Sequence, residues 1–176
     1  DDGTREFLDG VPFLEPFVAV PWLAAKTEKL RFTTSVVKLA IRQPVIVAKQ
    51  LSSLAVMIGD RFGFGVGISP WPEDFLACQI PWEKRGQRMD EMMDIINGLM
   101  SGDYFGYDGE IFQLDPIKLC PVPDHHIPLL VGGHDRGLPW DDFVSAMRTQ
   151  APRAIVPLGQ TGPRINALPE PIAAAR

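Results

Sequence analysis

Apolar positions along this chain fall into two alternating patterns, one recurring at helical spacing and one running unbroken for a few residues. Residues 15–30 predict a helix, with Phe17, Val18, Leu23 and Ala24 among its apolar positions. Pro16 suits its first turn, whereas Pro21 should kink it or delay its start. Residues 30–37 predict a strand. Pro44 then opens a second helix to about residue 57, with Val47, Leu51, Leu54 and Ala55 near helical spacing and Ile58-Gly59-Asp60 ending it. "RFGFGVGI", residues 61–68, predicts a second strand, and its three glycines, Gly63, Gly65 and Gly67, suggest close approach by backbone or ligand. A loop through Pro70, Trp71 and Pro72 follows. Residues 84–100 predict the strongest helix, with an apolar stripe of Met89, Met92, Met93, Ile96, Leu99 and Met100 that reads as core packing. Asp108-Gly109 signals a hairpin within residues 104–119. "PLLV", residues 128–131, predicts a third buried strand; residues 140–149 and 154–158 predict a further helix and strand.

Strands alternating with long helices imply parallel βαβ units, built either as a (β/α) barrel or as a doubly wound open sheet. Both architectures gather function at the C-terminal ends of their strands. Here those ends are Thr34-Ser35-Val36, Gly67-Ile68-Ser69 and Gly132-Gly133-His134, all small or polar where a buried strand would be greasiest. Such ends suit a flat, phosphate-bearing cofactor, which needs room for a ring and exposed N–H groups for the phosphate.

Composition narrows the partners. The 176 residues carry a formal net charge of −5 and a pI near 5.1, so a nucleic-acid partner, which demands a basic face, is not expected. Forty-five per cent hydrophobic residues suit one globular core, and no segment carries the ~18 uninterrupted apolar residues of a spanning helix. Without an export leader in view, the two cysteines, Cys78 and Cys120, are expected to be reduced, core or near-core thiols of a cytoplasmic protein. From Val144 onward there is no aromatic residue and no lysine, but four arginines and five prolines, a composition poorly suited to a packed core.

Several motifs carry no chemistry. "GFGVGIS" misses the dinucleotide fingerprint, because Pro70 stands where the third glycine belongs and no helix opens directly after the strand. His125, His126, His134 and Cys120 match no zinc spacing, so no metal site is assigned. Ser35 and Ser69 lack a nucleophile elbow. Glu73-Asp74 and Asp141-Asp142 read as solvated helix starts. Arg85 and Arg88 open a helix against its dipole and therefore call for partners: Asp90 and Glu91, or a cofactor or rim carboxylate. Gly132-Gly133-His134 after a buried strand reads equally as a phosphate nest or a plain turn.

The blocks "EPFVAVPWLAAKTEKLRFTTSVV", "RQPVIVAKQLSSLAVMIGDRFGFGVGISPWPEDF", "PWEKRGQRMDEMMDIINGLMSG", "YDGEIFQLDPIKLCPVP" and "IPLLVGGH" resemble, in this order, bacterial luciferase-like monooxygenases, most of all the actinobacterial branch that uses coenzyme F420. The resemblance covers residues 15–134. It implies an α/β fold, a partial TIM (β/α) barrel, and a flavin- or deazaflavin-dependent oxidoreductase that binds F420 or, alternatively, FMN and acts on a small molecule. It implies a non-prolyl cis peptide at Ser35-Val36, with Thr34 nearby, against the cofactor ring. Ser69 to Trp71 would lie near the ring edge or tail, and Gly132, Gly133 and His134 would form the phosphate turn. The loop around Trp71 and Trp82 is a candidate substrate wall, with packed aromatics as the commoner reading of both tryptophans. No catalytic acid or base is assigned.

The resemblance implies a barrel of about 250 residues that opens with two strands, which this chain is expected to lack. Residues 1–134 are expected to form the barrel segment and residues 135–176 a divergent, partly disordered tail, as in a fragment, an internal deletion or a frameshift. The competing expectation is a non-catalytic truncated barrel that associates, as a homodimer or with a partner, through open sheet edges.

Overall fold

The computed structural model describes residues 12–132. The expected Gly133 and His134 contacts, the helix and strand expected at 140–149 and 154–158, and the tail lie outside the described residues. Helix α1 spans Pro16–Ala24, strand β1 Phe32–Thr33, β2 Val37–Lys38, helix α2 Pro44–Ile58 and strand β3 Phe62–Gly67. They are followed by α3 Pro72–Ala77, α4 Arg85–Leu99, the hairpin strands β4 Tyr104–Asp108 and β5 Gln113–Lys118, and β6 Leu129–Val131.

The central sheet is parallel. β3 lies in the middle, with β1 and β2 successively along one edge and β6 along the other. Successive helices pack side by side, α1 on α2 and α2 on α4. Sequential strand order beneath one continuous helix layer is the arrangement of a (β/α) barrel; a doubly wound sheet reverses order and covers both faces.

The pleat sorts β3 into two unlike faces. Phe62, Phe64 and Val66 turn into the helix layer, where Phe64 meets Phe17 of α1 at 6.0 Å between ring centroids. That layer also holds Leu51 and Leu54 of α2 and Met92, Ile96 and Leu99 of α4, as the methionine stripe predicts. The alternate residues, Gly63, Gly65 and Gly67, turn to the inner face and present no side chain to it.

Helix α1 stops at Ala24, six residues before the predicted end at Leu30. Arg61 is the reason. Its guanidinium donates to the carbonyls of Ala24 (3.4 Å), Thr27 (2.8 Å) and Leu30 (3.4 Å), so the chain satisfies these groups without further helical turns. Pro21 neither delays nor ends the helix; Glu15 caps its start by accepting the Phe17 N–H at 2.7 Å. Helix α3 follows the predicted loop, started by Pro72 with Glu73 and Asp74 in its first turn, the helix start that this acidic pair predicts. Cys78 and Cys120 are both exposed free thiols, which corrects the expectation of core thiols: Cys78 follows the end of α3 and Cys120 follows β5, both outside the helix layer.

The hairpin is held by a carboxylate the sequence pattern did not reveal. Glu91 sits in the middle of α4, only 6% exposed. It accepts the backbone N–H groups of Glu110, Ile111 and Phe112 at 3.0–3.2 Å. Gly109 leaves the space for this approach, since a Cβ there would lie 2.4 Å from Glu91 Oε2. Tyr107 adds a hydroxyl bond to Asp94 at 3.2 Å.

Glu91→Ala strips three turn amides of their acceptor. Urea unfolding should show a loss of about 1.5–3 kcal/mol, with Glu91→Gln intermediate. An unchanged midpoint would mean that the turn holds itself.

Candidate functional site

The edge strand does not run straight through Thr34-Ser35-Val36, where the sequence places its candidate ligand contacts. Thr33 pairs with Gly63, and the next pair is Val37 with Val66, so three residues face two and the chain bulges. The Ser35-Val36 peptide in this bulge is cis, as the resemblance implies.

Thr34 repairs the interrupted ladder. Its hydroxyl accepts the Gly65 N–H at 2.8 Å and donates to the Gly65 carbonyl at 2.7 Å. The residue is buried and its hydroxyl is committed to β3. The bulge leans directly over β3: a Cβ on Gly65 would lie 1.8 Å from the Thr34 carbonyl oxygen. Ser35 and Val36 are exposed, and Val36 retains 40% of its surface.

Val36 wedges between the ends of the other two strands. A Cβ on Gly67 would fall 2.8 Å from Val36 Cγ2, and one on Gly132 would fall 2.6 Å from Val36 Cγ1. Gly132 N–H in turn donates to Val66 O at 2.7 Å. The structure thus brings Val36, Gly67 and Gly132 together at one end of the sheet. Ser69 and Trp71 lie on the segment that leaves β3, at the same end. Ser69 is fully buried, and its hydroxyl accepts the Trp71 N–H at 3.3 Å.

Two arginines brace this end from the helix layer. Arg88 donates to the carbonyls of Ala40 (2.8 Å) and Arg42 (3.3 Å), in the turn that follows β2, and stacks on Phe112 at 4.5 Å. Burial lowers its pKa from the ordinary guanidinium value. Arg85 lies 3.7 Å above the Trp82 ring, and Phe75 meets that ring edge-on at 5.1 Å. Trp82 is therefore gripped on its face and edge by packing partners. The arginines' partners are main-chain carbonyls and aromatic faces, in place of the carboxylates expected from the sequence.

The exposed part of this end is the bulge itself. The space beside Gly63, Gly65 and Gly67 is taken up by Thr33, Thr34, Val36 and Gly132, which leaves Ser35 and Val36 as the exposed residues. The two described histidines, His125 and His126, lie apart from this end. His125 lies 3.1 Å from Asp124 and His126 bonds the Ile127 carbonyl, both lining a cavity of about 320 Å³ with Met100, Ser101 and Leu129, near the entry to β6. Among the described residues no group of three or more His, Cys, Asp or Glu could hold a metal, and no helix is long and apolar enough to cross a membrane.

Comparison with known proteins gives this geometry a context. The family described as luciferase-like monooxygenase matches residues 3–137. A Mycobacterium tuberculosis protein is 53% identical over 133 residues, 76% of this chain and 46% of its own length. The chain therefore spans about half the length of the curated relatives it matches. A UDP-N-acetylmuramoyl-L-alanine–L-glutamate ligase of Xanthomonas axonopodis is 59% identical over 49 residues, 28% of this chain and 10% of the ligase. Among solved structures, an F420-dependent secondary alcohol dehydrogenase superposes with a TM-score of 0.59 at 23% identity, over 71% of this chain and 39% of that one. A Pseudomonas putida 3,6-diketocamphane monooxygenase component in complex with FMN does so with a TM-score of 0.58 at 16% identity, over 66% of this chain and 36% of that one. Both structures share the fold, which is α/β, a partial barrel of the TIM type.

Gly65→Ala has no room for its methyl group. Thermal or urea unfolding should show a loss at or above the usual overpacking range of about 1–3 kcal/mol. Gly86→Ala, in α4, meets only Ile68 Cδ1 at 3.9 Å and should be neutral or stabilising by up to about 1 kcal/mol. Equal effects at the two positions would show that the bulge does not press on β3.

Proposed function

The chain belongs to the luciferase-like monooxygenase family, and from that premise we propose that it is the cofactor-bearing segment of a flavin- or deazaflavin-dependent oxidoreductase. Coenzyme F420 is the preferred cofactor and FMN the alternative. The observation that carries the proposal is the exposed apolar surface of Val36 in the Ser35-Val36 bulge, seated over the glycines at the C-terminal end of β3.

Ser35 and Val36 would lie along the ring, and Gly67 and Gly132 would seat Val36 between the strand ends. Ser69 and Trp71 would border it on one side and Gly132 on the other. Thr34 would act indirectly, by holding the bulge against Gly65. When bound, the cofactor supplies hydride or oxygen-transfer chemistry, and the protein's share is to position it and exclude water. The same reading takes a small-molecule substrate, a cytoplasmic setting and no nucleic-acid partner. F420 is favoured by the resemblance of the sequence blocks; FMN is kept because the family includes flavin enzymes.

A second reading, self-association, draws on one observation. Val18 and Trp22 of α1 and Met57 of α2 are 70%, 64% and 70% exposed, an apolar face on the outer helix layer. If it mates with a second copy, sedimentation velocity should show a discrete dimer that Trp22→Glu converts to monomer.

The cofactor proposal is tested by titrating the purified chain with F420 and, separately, with FMN, following the ligand's fluorescence. Saturable binding at roughly micromolar concentration is expected, on the order of −8 kcal/mol. Val36→Asp should abolish it by placing a charge on the apolar surface. A folded chain that binds neither ligand would overturn the proposal.

A further inference from the structure

A polar relay joins the end of β2 to the segment that leaves β3, and it involves two residues to which the cofactor reading gives no role. Lys38 ends β2 directly opposite Gly67 and, by the same pleat, belongs to the inner face. Its Nζ lies 2.6 Å from Asp74 Oδ2 in the first turn of α3. The same carboxylate oxygen accepts the Ser69 hydroxyl. Ser69 Oγ in turn accepts the Trp71 N–H at 3.3 Å, and the Lys38 ammonium stands 4.5 Å from the centroid of the Trp71 ring. A strand end is thereby joined to a loop and a helix start more than thirty residues away.

This loop needs such a fastening. Between β3 and α3 it contains Pro70, and Pro72 opens the helix, so two of its positions have no N–H to give to a backbone ladder. Its shape therefore depends on side chains. The side chains of Lys38 and Asp74 are 37% and 24% exposed. That is enough water to spare the pair a full desolvation cost, and enough cover to keep it from being screened away.

We infer that Lys38 and Asp74 are positioning residues of this end of the sheet: their ion pair, continued through Ser69, sets the 69–71 segment and the Trp71 ring against the end of β2. Resting on the cofactor reading above, this makes ligand affinity depend on the charges at positions 38 and 74 although neither side chain touches the ligand.

The test uses the full chain with Lys38→Met, Asp74→Asn and the conservative Lys38→Arg. Without ligand, hydrogen exchange of the amides in residues 69–75 should quicken about tenfold or more in the two neutralising variants and stay near the original rate in Lys38→Arg. Affinity for F420 or FMN should fall about fivefold or more in the same two variants and recover in Lys38→Arg. Circular dichroism checks the fold, and Ser69→Ala replaces any variant that fails to fold, since it breaks the relay without altering charge. Unchanged exchange in the neutralising variants overturns the inference. So does an affinity loss in Lys38→Met with unchanged exchange, which would make Lys38 a direct ligand contact. If the unsubstituted chain binds neither ligand, the cofactor reading fails, while the exchange data still decide whether the relay sets the loop.

Discussion

The two hydrogen bonds between the Thr34 hydroxyl and the Gly65 peptide are the constraint on which the strand ends depend. A bulge of three residues against two would otherwise leave the Gly65 N–H and carbonyl buried without partners, at about 1–3 kcal/mol each. One hydroxyl, acting as donor and acceptor, satisfies both. It does so only because Gly65 has no side chain and lets the bulge settle onto β3. Once the bulge is held, Val37 returns to register with Val66, Lys38 comes opposite Gly67, and Val36 is left projecting between Gly67 and Gly132.

The same solution recurs at three places where the chain leaves regular structure. Arg61 gathers the carbonyls at the end of α1, Arg88 those of the turn after β2, and Glu91 the amides of the hairpin turn. Each is a charged group spent on main-chain dipoles rather than on an opposite charge. Such bonds are stronger than neutral ones and, being partly buried, are little weakened by salt. They join elements distant in sequence, and all three fasten the helix layer and its loops around the β3 core.

Period and punctuation carried much of the architecture. Pro44 and Gly59 bracket α2 as the sequence suggests, the stripe of α4 packs as predicted, and the alternation of strands and helices pointed to parallel units. The three glycines of "FGFGVG" announced close backbone approach, and Thr34 proves to be what approaches Gly65. What periodicity could not convey were side chains acting across long separations. Nothing local marks Glu91 as a turn-binding carboxylate or Arg61 as a helix cap, because their partners lie roughly 20 and 30 residues away. Asp74 looked like an ordinary acidic helix start, and only the fold brings Lys38 and Ser69 to it. The split of the first strand was hidden for the same reason: a bulge is a property of two strands, and the sequence of one shows only half of it.

β3 places phenylalanine and valine on one side and hydrogen atoms on the other. A strand of that kind has nothing with which to distinguish one visitor from another. On the cofactor reading, any preference would fall to its neighbours, at positions 36, 38, 69 and 71, which can vary while the strand between them stays fixed. Proteins descended from a common ancestor can then diverge widely in what they accept and still share "FGFGVG" unaltered. Invariance in this strand would record the fit of a threonine against a glycine, and the history of molecular taste would be legible only along its margins.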